Sequence, residues 1–377
     1  MSATGTSLRD LELTDELRVL ITAKGLDASG GVVNYVASLM NQFPEMVQCE
    51  HLQVGREPHE RRMVRDLLFP LLDNFALLRR VRKLRPHCVH INPSFNLKAM
   101  LRDGMLLTTL RLMGQRRVVV FFHGWDDDFA AKVLRSPWRR RLFRWIFGWP
   151  PVIFVLASSF RETLLALGLA PTQVRVTTTM FDGDIFSGVT RSRGADEEVR
   201  LAFMSRFVAA KGIHEVVNAM AALAHEHPGL RLLLLGDGPE RLALEDRVAS
   251  LDLGDRVEFA GYLRGQEKAQ ALVDSDIFVF PTYYGEGCPV VLLEAMAAGL
   301  PVITHGVGGI PDIFEDPRNG ILLQRVDDAS VVDALRELLS DPQRTAAIGD
   351  HNREHAWTHY ESAMVSRRML ATYRELS

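Results

Sequence analysis

Short apolar runs alternate with longer amphipathic patterns along most of this chain, an alternation typical of β-strands separated by α-helices. Short strands that are apolar on both faces are expected in a parallel sheet that helices cover on both sides. The first half of the chain contains five such runs, at residues 18–22, 88–92, 118–122, 152–156 and 174–177, with helical patterns at 32–40, 60–85 and 97–113.

A second alternating series begins near residue 200, after a stretch from Phe181 to Asp196 whose Gly, Asp, Ser and Arg residues are typical of a linker. Two series predict an α/β protein of two Rossmann-like parallel-sheet domains that face each other across a cleft. We place these domains at residues 1–184 and 185–355. The remaining segment, 356–377, carries a helical pattern at 357–376, and the pattern leaves open whether that helix packs on its own domain or crosses back to the first. The second series has strands at 200–204, 231–235, 257–260, 277–280 and 302–304 and helices at 213–226, 241–251 and 266–275.

The composition indicates the domain count and the cellular compartment. A chain of 377 residues is long enough for two domains with cores of their own. Its three cysteines show no metal-binding spacing and predict a reducing compartment without a disulfide framework. An apolar segment typical of a signal peptide or a membrane span is also missing from the sequence. We therefore expect a cytoplasmic protein.

Charge is distributed unevenly although the net charge is only -3. Residues 51–150 carry 20 Lys and Arg against 8 Asp and Glu, a local balance of +12. Within them, the segment from Lys132 to Trp149 combines six basic residues with three tryptophans, as a helix lying on an anionic bilayer requires. The alternative is an ordinary core helix with a solvated basic face. We expect peripheral contact with the inner face of the cell membrane, and no nucleic acid partner, because no nucleic-acid-reading module accompanies the charge.

The most informative stretch runs from Phe278 to Pro311. An apolar strand ends at Pro281, a glycine-bearing loop follows, and a helix is expected to begin near Cys288 and to run for roughly ten residues, ~15 Å. Pro289 suits the first turn of this helix, since its missing N–H would have no partner there. The free N–H groups at this end predict a phosphate site.

Two acidic residues flank that helix end. Glu286 lies in the loop, and Glu294 lies inside an otherwise apolar helix, where a buried acid needs a partner. One interpretation is that the two carboxylates bind hydroxyl groups on either side of a bound diphosphate. The other is that Glu286 caps a turn and Glu294 forms a surface ion pair.

Polar or glycine residues also follow other strands, where open α/β sheets bind ligands. Arg206 and Lys211 can converge on one anion, and His123 follows the strand at 118–122. The acids Asp126 to Asp128 are better explained by helix capping than by a metal site. The glycine turns in this set contain Gly30 and Gly31, and Gly236 and Gly238, and Tyr262 follows a further strand at a place suited to a flat base.

These motifs resemble the retaining glycosyltransferases of family 4, which have the two-domain GT-B fold. The most specific element is a pair of glutamates separated by seven residues, here Glu286 and Glu294. Arg206 with Lys211 is the next most specific. The resemblance extends over nearly the whole chain and is strongest from Leu201 to Leu323. Further support comes from the Gly236-Asp237-Gly238-Pro239 turn, from His123-Gly124 and from Gly30-Gly31.

The resemblance implies a role for each position. Arg206 and Lys211 would neutralise the diphosphate of a nucleotide sugar, Glu294 would bind the ribose, and Glu286 would hold the hexose. His123 would lie near the anomeric centre, and no metal cofactor is expected. The remaining positions implied to contact the donor or its surroundings are Gly30, Gly31, Gly236, Gly238, Tyr262, Gly287, Cys288, Pro289 and Val290.

The implied reaction is transfer of a hexosyl unit from a nucleotide-diphosphate sugar to a saccharide or polyisoprenyl-diphosphate-linked acceptor, in cell-envelope or exopolysaccharide synthesis. The first domain would bind the acceptor and the second the nucleotide sugar. Cys288 stands where the family often has an aromatic residue, so donor and acceptor preference stay open. Two alternatives remain at this point: a GT-B nucleotide-sugar epimerase, and a catalytically silent nucleotide-sugar-binding partner subunit.

Overall fold

The computed structural model describes residues 16–28, 30–55, 69–194 and 198–377. The chain divides into two compact units. The N-terminal unit comprises the residues up to 179 together with 362–377, and the C-terminal unit comprises residues 180–361. The contacts divide the chain after residue 179, five residues before the boundary predicted at residue 184. The first part of the helix predicted at 60–85 lies outside the described residues.

Six parallel strands form the sheet of the N-terminal unit. Five of them correspond to the predicted apolar runs, whereas the strand at 47–53 was not predicted. That strand lies at the edge of the sheet and alternates apolar with polar and charged residues, so it lacks the continuous apolar run of a buried strand. The strands are β1 (Leu17–Ala23), β2 (Val47–Gln53), β3 (Cys88–Ile91), β5 (Val118–Phe122), β7 (Val152–Val155) and β8 (Val174–Val176), in the order β2-β1-β3-β5-β7-β8, and the short strands β4 (Ser94–Phe95) and β6 (Gly124–Trp125) pair separately.

In the part of the chain that the structure describes, six helices connect these strands. The basic aromatic segment from Lys132 to Trp149 is divided between two of them, because the chain turns at Ser136 and Pro137 opens a new helix. The predicted capping role of the acidic triplet is confirmed for Asp126, whose carboxylate accepts a hydrogen bond from the Phe129 N–H at 2.9 Å. The helices are α1 (Gly31–Asn41), α2 (Phe69–Leu84), α3 (Leu97–Leu112), α4 (Asp127–Leu134), α5 (Pro137–Phe147) and α6 (Ser158–Ala166).

The C-terminal unit repeats the architecture with a second sheet of six parallel strands. Three strands begin and end at the residues that the apolar runs predicted. The chain starts this sheet near its middle and then builds outward in both directions. The strands are β9 (Arg200–Met204), β10 (Arg231–Leu235), β11 (Val257–Gly261), β12 (Ile277–Phe280), β13 (Val302–His305) and β14 (Gly320–Leu323), in the order β11-β10-β9-β12-β13-β14.

Six helices belong to this unit. The helix expected to begin near Cys288 begins instead at Val290 and is eight residues long. Pro289 has an extended backbone, with ψ 117°, and is the N-cap rather than the first helical residue. The helices are α7 (Ile213–Leu223), α8 (Arg241–Ser250), α9 (Gly265–Val273), α10 (Val290–Ala297), α11 (Asp328–Ser340) and α12 (Pro342–His359).

The helical pattern at 357–376 proves to be two elements. Helix α12 ends at His359, and α13 (Ser362–Leu376) is the part that belongs to the N-terminal unit. Tyr373 of α13 is fully buried, and its hydroxyl lies 2.6 Å from the His90 Nδ1 on β3. Glu375 forms two hydrogen bonds with Arg175 on β8, of 2.7 and 2.8 Å. The last helix therefore completes the N-terminal unit.

Within the part of the chain that the structure describes, no helix has both the length and the apolar character needed to span a bilayer.

We expect the substitution Tyr373→Ala to lower the free energy of unfolding of the N-terminal unit by about 3–5 kcal/mol, the cost of emptying a fully buried aromatic site. Glu375→Ala on the same helix is the control, since an exposed ion pair contributes less than about 1 kcal/mol. Denaturant unfolding followed by tryptophan fluorescence measures both, because four of the five tryptophans precede residue 180. Equal effects of the two substitutions would contradict the packing described for α13.

Candidate functional site

The candidate site of the C-terminal unit lies where β9 and β12 end. These two strands pair in parallel, so the loops that follow them emerge at the same edge of the sheet. The Ala210 carbonyl oxygen, in the loop after β9, accepts hydrogen bonds from the N–H groups of Tyr283 and Tyr284, both at 3.0 Å. This backbone contact joins the two loops that carry the predicted charged residues.

Lys211 and Glu286 form an ion pair between these loops. Both side chains are largely buried, with 13% and 15% of their surfaces exposed. The Lys211 ammonium also lies 4.4 Å from the ring centroid of Tyr284, within the range of a cation–π contact. The structure thus brings together two predicted site residues, and Lys211 contacts a carboxylate of the protein itself.

Arg206 provides the second predicted cation. It is the second residue after β9, and its side chain is exposed. Among the described residues it has no carboxylate partner, so its charge is available to an anion that approaches this edge of the sheet. Arg206, Lys211 and Glu286 together carry one net positive charge.

Glycines hold the neighbouring loops together. Gly236, with φ +132°, and Gly238 pack so closely against the backbone of Ser205 and Phe207 that neither position has room for a Cβ atom. Gly308, with φ +60°, packs in the same way against the carbonyl group of Glu286. These glycines position the loops by backbone contact, and the predicted contact of Gly236 and Gly238 with a ligand stays a prediction.

Glu294 lies within α10 and is 5% exposed, so the alternative of a surface ion pair is wrong. Its carboxylate accepts a hydrogen bond from the Lys268 ammonium of α9 at 2.6 Å. Burial raises the pKa of Glu294 above its usual range, and the charge of Lys268 opposes that rise. The pattern indicated that this acid needs a partner, but not which one, because Lys268 is 26 residues away.

The residues that lead into α10 differ in accessibility. Gly287 is half-buried, whereas Cys288 and Pro289 are buried, and Val290 opens the helix. The N–H groups of the first turn have no intrahelical partners, as at any helix start. This end of α10 immediately follows Glu286.

Tyr262 lies apart from these residues. It follows β11, the edge strand, which β10 separates from β9, so it is offset by two strand spacings, or about 10 Å. The ring is 73% exposed and lies 5.1 Å from the Arg264 guanidinium. The structure does not place it in contact with Lys211 or Glu286.

His123, Gly30 and Gly31 belong to the N-terminal unit. His123 follows β5, and the centroid of its ring lies 3.8 Å from that of Phe121. Burial, together with the neighbouring His90, lowers the pKa of His123 well below its usual range. Gly30 has φ +148°, which strongly favours glycine, and it is the N-cap of α1. The space where a Cβ atom of either glycine would lie is open.

Residues 16–28, 30–55, 69–194 and 198–377 contain no group of three or more His, Cys, Asp or Glu side chains arranged to hold a metal ion. The prediction that the protein works without a metal is not tested by this observation.

Both units match glycosyltransferase family models. Residues 17–182 match the model described as Glycosyltransferase Family 4, and residues 190–355 match Glycosyl transferases group 1. The Anabaena protein HepE, in a crystal structure with UDP, is similar over 95% of this chain and 100% of that chain, with a TM-score of 0.70 and 16% identity. The fold is that of the GT-B glycosyltransferases.

Curated proteins that match parts of this chain are named as synthases or transferases. An N-acetyl-alpha-D-glucosaminyl L-malate synthase of Bacillus anthracis is 33% identical over 45% of this chain and 44% of its own. A GDP-mannose-dependent alpha-(1-6)-phosphatidylinositol monomannoside mannosyltransferase of Mycolicibacterium smegmatis is 26% identical over 67% of this chain and 68% of its own. The chain spans about half the length, 44% to 58%, of several curated relatives that it matches.

The substitution Lys268→Met tests the buried pair of this GT-B protein. It leaves the Glu294 carboxylate without its partner, and we expect a loss of about 3–5 kcal/mol in the free energy of unfolding at pH 8. The loss should shrink toward pH 5, because Glu294 has a raised pKa in the folded state and can take up a proton there.

Glu267→Met is the matched control for this measurement, since Glu267 is exposed on the same helix. We expect it to change the free energy of unfolding by less than about 0.5 kcal/mol at either pH. A pH-independent effect of Lys268→Met would contradict the assignment of the pair.

Proposed function

We propose that this protein is a retaining glycosyltransferase that transfers a hexosyl unit from a nucleotide-diphosphate sugar to a saccharide or lipid-linked saccharide. The observation that carries the proposal is the group formed by Lys211, Glu286 and the exposed Arg206. It lies at the carboxyl ends of adjacent parallel strands, next to the start of α10, in a unit that matches a glycosyltransferase model.

In this proposal, Arg206 and Lys211 act on the leaving group. When the bond between sugar and phosphate breaks, negative charge develops on the nucleotide diphosphate. Fixed cations and the N–H groups at the start of α10 stabilise that charge more than they stabilise the ground state, and this difference lowers the barrier. Lys211 is already held in place by Glu286 and Tyr284, so little reorganisation is required when the diphosphate binds.

Glu286 is proposed to position the hexose and Glu294 to bind the ribose hydroxyl groups. The pairing of Glu286 with Lys211 supports a positioning and electrostatic role rather than that of a nucleophile, because a carboxylate that shares its charge with an ammonium group is a weaker nucleophile. Retention would then proceed through front-face attack on an oxocarbenium-like state. The proposed donor chemistry needs no metal ion.

The comparisons support two candidate bases for the donor. HepE was crystallised with UDP, and the name of the Mycolicibacterium relative specifies GDP-mannose. We propose a nucleoside-diphosphate hexose as the donor and treat its base as an outcome of the experiment. A ligand that binds only the folded protein raises the thermal midpoint, so UDP, GDP, ADP and dTDP with their sugars can be ranked directly.

With the donor that stabilises the protein most, we expect Lys211→Met and Glu286→Gln each to lower turnover at least about 100-fold, the size of losing one charge-stabilising contact. Steady-state kinetics measure the effect, with the thermal midpoint of each variant as a check of folding. EDTA should leave the wild-type rate unchanged.

Arg325→Met is the matched control for these variants, since Arg325 is an exposed cation of the same unit with 75% of its side chain in solvent. It should retain the wild-type rate. Turnover near the wild-type value in Lys211→Met or Glu286→Gln would remove the proposed assignment.

We also propose that the N-terminal unit binds the acceptor at an anionic membrane on the cytoplasmic side. Helices α2, α3 and α5 form one neighbouring group: Thr109 on α3 bonds to Asn74 on α2 at 2.6 Å, and Arg111 on α3 bonds to the Trp145 carbonyl on α5 at 2.9 Å. We call their solvent side the three-helix face. Its exposed apolar residues are Leu71, Leu72 and Phe75 on α2, Leu97, Leu101, Met105 and Leu112 on α3, and Trp138, Leu142 and Trp145 on α5.

The three-helix face combines apolar side chains with positive charge, as a surface that inserts at the headgroup level requires. Trp138, Leu142 and Trp145 recur at the spacing of one helix face, opposite the buried Phe143 and Phe147. This orientation supports the membrane interpretation over a core helix, since Trp138 and Trp145 point to solvent.

A cavity of about 680 Å³ lies beside the tryptophans of α5. Arg140, Arg141 and Arg144 line it together with Trp145 and Gln173. Guanidinium groups bind phosphate through paired N–H donors, so the cavity suits the phosphate of a lipid headgroup.

We expect the triple substitution Arg139→Ser, Arg140→Ser, Arg141→Ser to weaken binding to phosphatidylglycerol vesicles about 100-fold at low salt, since each basic residue near the surface contributes about 1 kcal/mol. Co-sedimentation measures the binding. The control is the triple substitution Arg318→Ser, Arg325→Ser, Arg336→Ser, which makes the same charge change on exposed arginines of the C-terminal unit. Equal sedimentation of both variants, or none of the wild type, would refute the membrane contact.

A further inference from the structure

Asn92 lies between two strand ends of the N-terminal sheet. It directly follows β3, which is flanked by β1 and β5, and it is buried. Its side-chain nitrogen donates a hydrogen bond to the Thr22 carbonyl on β1 at 3.0 Å. Its side-chain oxygen lies 2.8 Å from the His123 Nε2 after β5. One amide therefore bridges both neighbours of β3.

The two contacts together determine where the proton of His123 resides. A backbone carbonyl only accepts hydrogen bonds, so the amide nitrogen of Asn92 must face Thr22 and its oxygen must face His123. An oxygen that faces Nε2 requires a proton on that nitrogen. The neutral ring then has no proton on Nδ1, which acts as an acceptor.

The surroundings of His123 keep the ring neutral and oriented. Burial and the neighbouring His90 lower its pKa, and Phe121 and Tyr35 pack against the ring at 3.8 and 4.9 Å. Within the described residues, Nδ1 has no hydrogen-bond partner and is not among the enclosed, unpaired side-chain atoms. A bound ligand can therefore reach it.

We propose that Asn92 is a positioning residue that holds His123 with its proton on Nε2 and presents Nδ1 as a hydrogen-bond acceptor. Such an acceptor takes a hydrogen bond from an O–H or N–H donor, and the hydroxyl groups of a sugar or saccharide are donors of this kind. The link to sugar rests on the proposed glycosyltransferase function, whereas the proton position does not.

The test is nitrogen-15 NMR of histidine-labelled, ligand-free protein at pH 7.5. We expect the His123 Nε2 resonance to be that of a protonated nitrogen and Nδ1 that of an unprotonated one. The opposite assignment, or a ring protonated on both nitrogens, would overturn the proposal. No substrate is present in this measurement, so it tests the proton position independently of transferase activity. Either of the two proposals can be refuted while the other stands.

Three variants distinguish a positioning role of Asn92 from a purely structural one. Asn92→Asp keeps the accepting oxygen and adds a charge, so Nε2 stays protonated and the pKa of His123 rises. Asn92→Leu removes the acceptor, and we expect the ring to lose its single proton position while the pKa of His123 stays low. Tyr35→Phe, which deletes a buried hydroxyl that has no hydrogen-bond partner among the described residues, should leave the spectrum unchanged. If Asn92→Leu fails to fold, the expected rise in the pKa of His123 in Asn92→Asp still tests the proposal.

The proposed role of Asn92 in the reaction predicts that its substitution changes kcat and KM to different extents. With the nucleotide sugar that the enzyme turns over, Asn92→Leu should lower kcat about tenfold with little change in KM, because His123 is present but no longer held. An unchanged kcat would show that the hydrogen bond is only structural. An absence of turnover in the wild type would refute the proposed function, not the proton position.

Discussion

The parallel pairing of β9 with β12 is the constraint on which the candidate site depends. It ends both strands at one edge, where the Ala210 carbonyl accepts two successive N–H groups from Tyr283 and Tyr284. Lys211 is the next residue after Ala210, so this contact helps to place the Lys211 ammonium group beside Glu286. The ion pair joins residues that are 75 positions apart in the chain, and the pairing of β9 with β12 brings their loops together.

Two carboxylates in the C-terminal unit are stabilised in the same way. Glu286 and Glu294 each contact a lysine, Lys211 and Lys268, and each is at least largely buried. A buried carboxylate without such a partner is strongly disfavoured in its charged form. Because both acids are compensated within the protein, the exposed Arg206 remains as uncompensated positive charge.

The prediction from sequence was most accurate where burial makes the local pattern unambiguous. Strands β9, β10 and β12 are continuous apolar runs, since a central parallel strand is covered on both faces. The edge strand β2 was missed because water covers part of it and its residues are mixed. The start of α10 was misplaced by two residues because the backbone angles of Pro289 decide it, and residue type alone does not. The break between α12 and α13 was missed because both sides of it have helical patterns.

The sequence by itself determined the α/β class, the two-domain organisation, the positions of Lys211, Glu286 and His123 in loops that follow strands, and the position of Glu294 inside a helix. These follow from short-range patterns, in which apolar runs and turn residues mark where each strand stops. Only the tertiary structure decided the partners: Glu286 for Lys211, Lys268 for Glu294, and Asn92 for His123. A parallel sheet brings together loops that are far apart in the chain, and burial depends on all of the surrounding elements. Partnership and pKa are therefore properties of the folded protein.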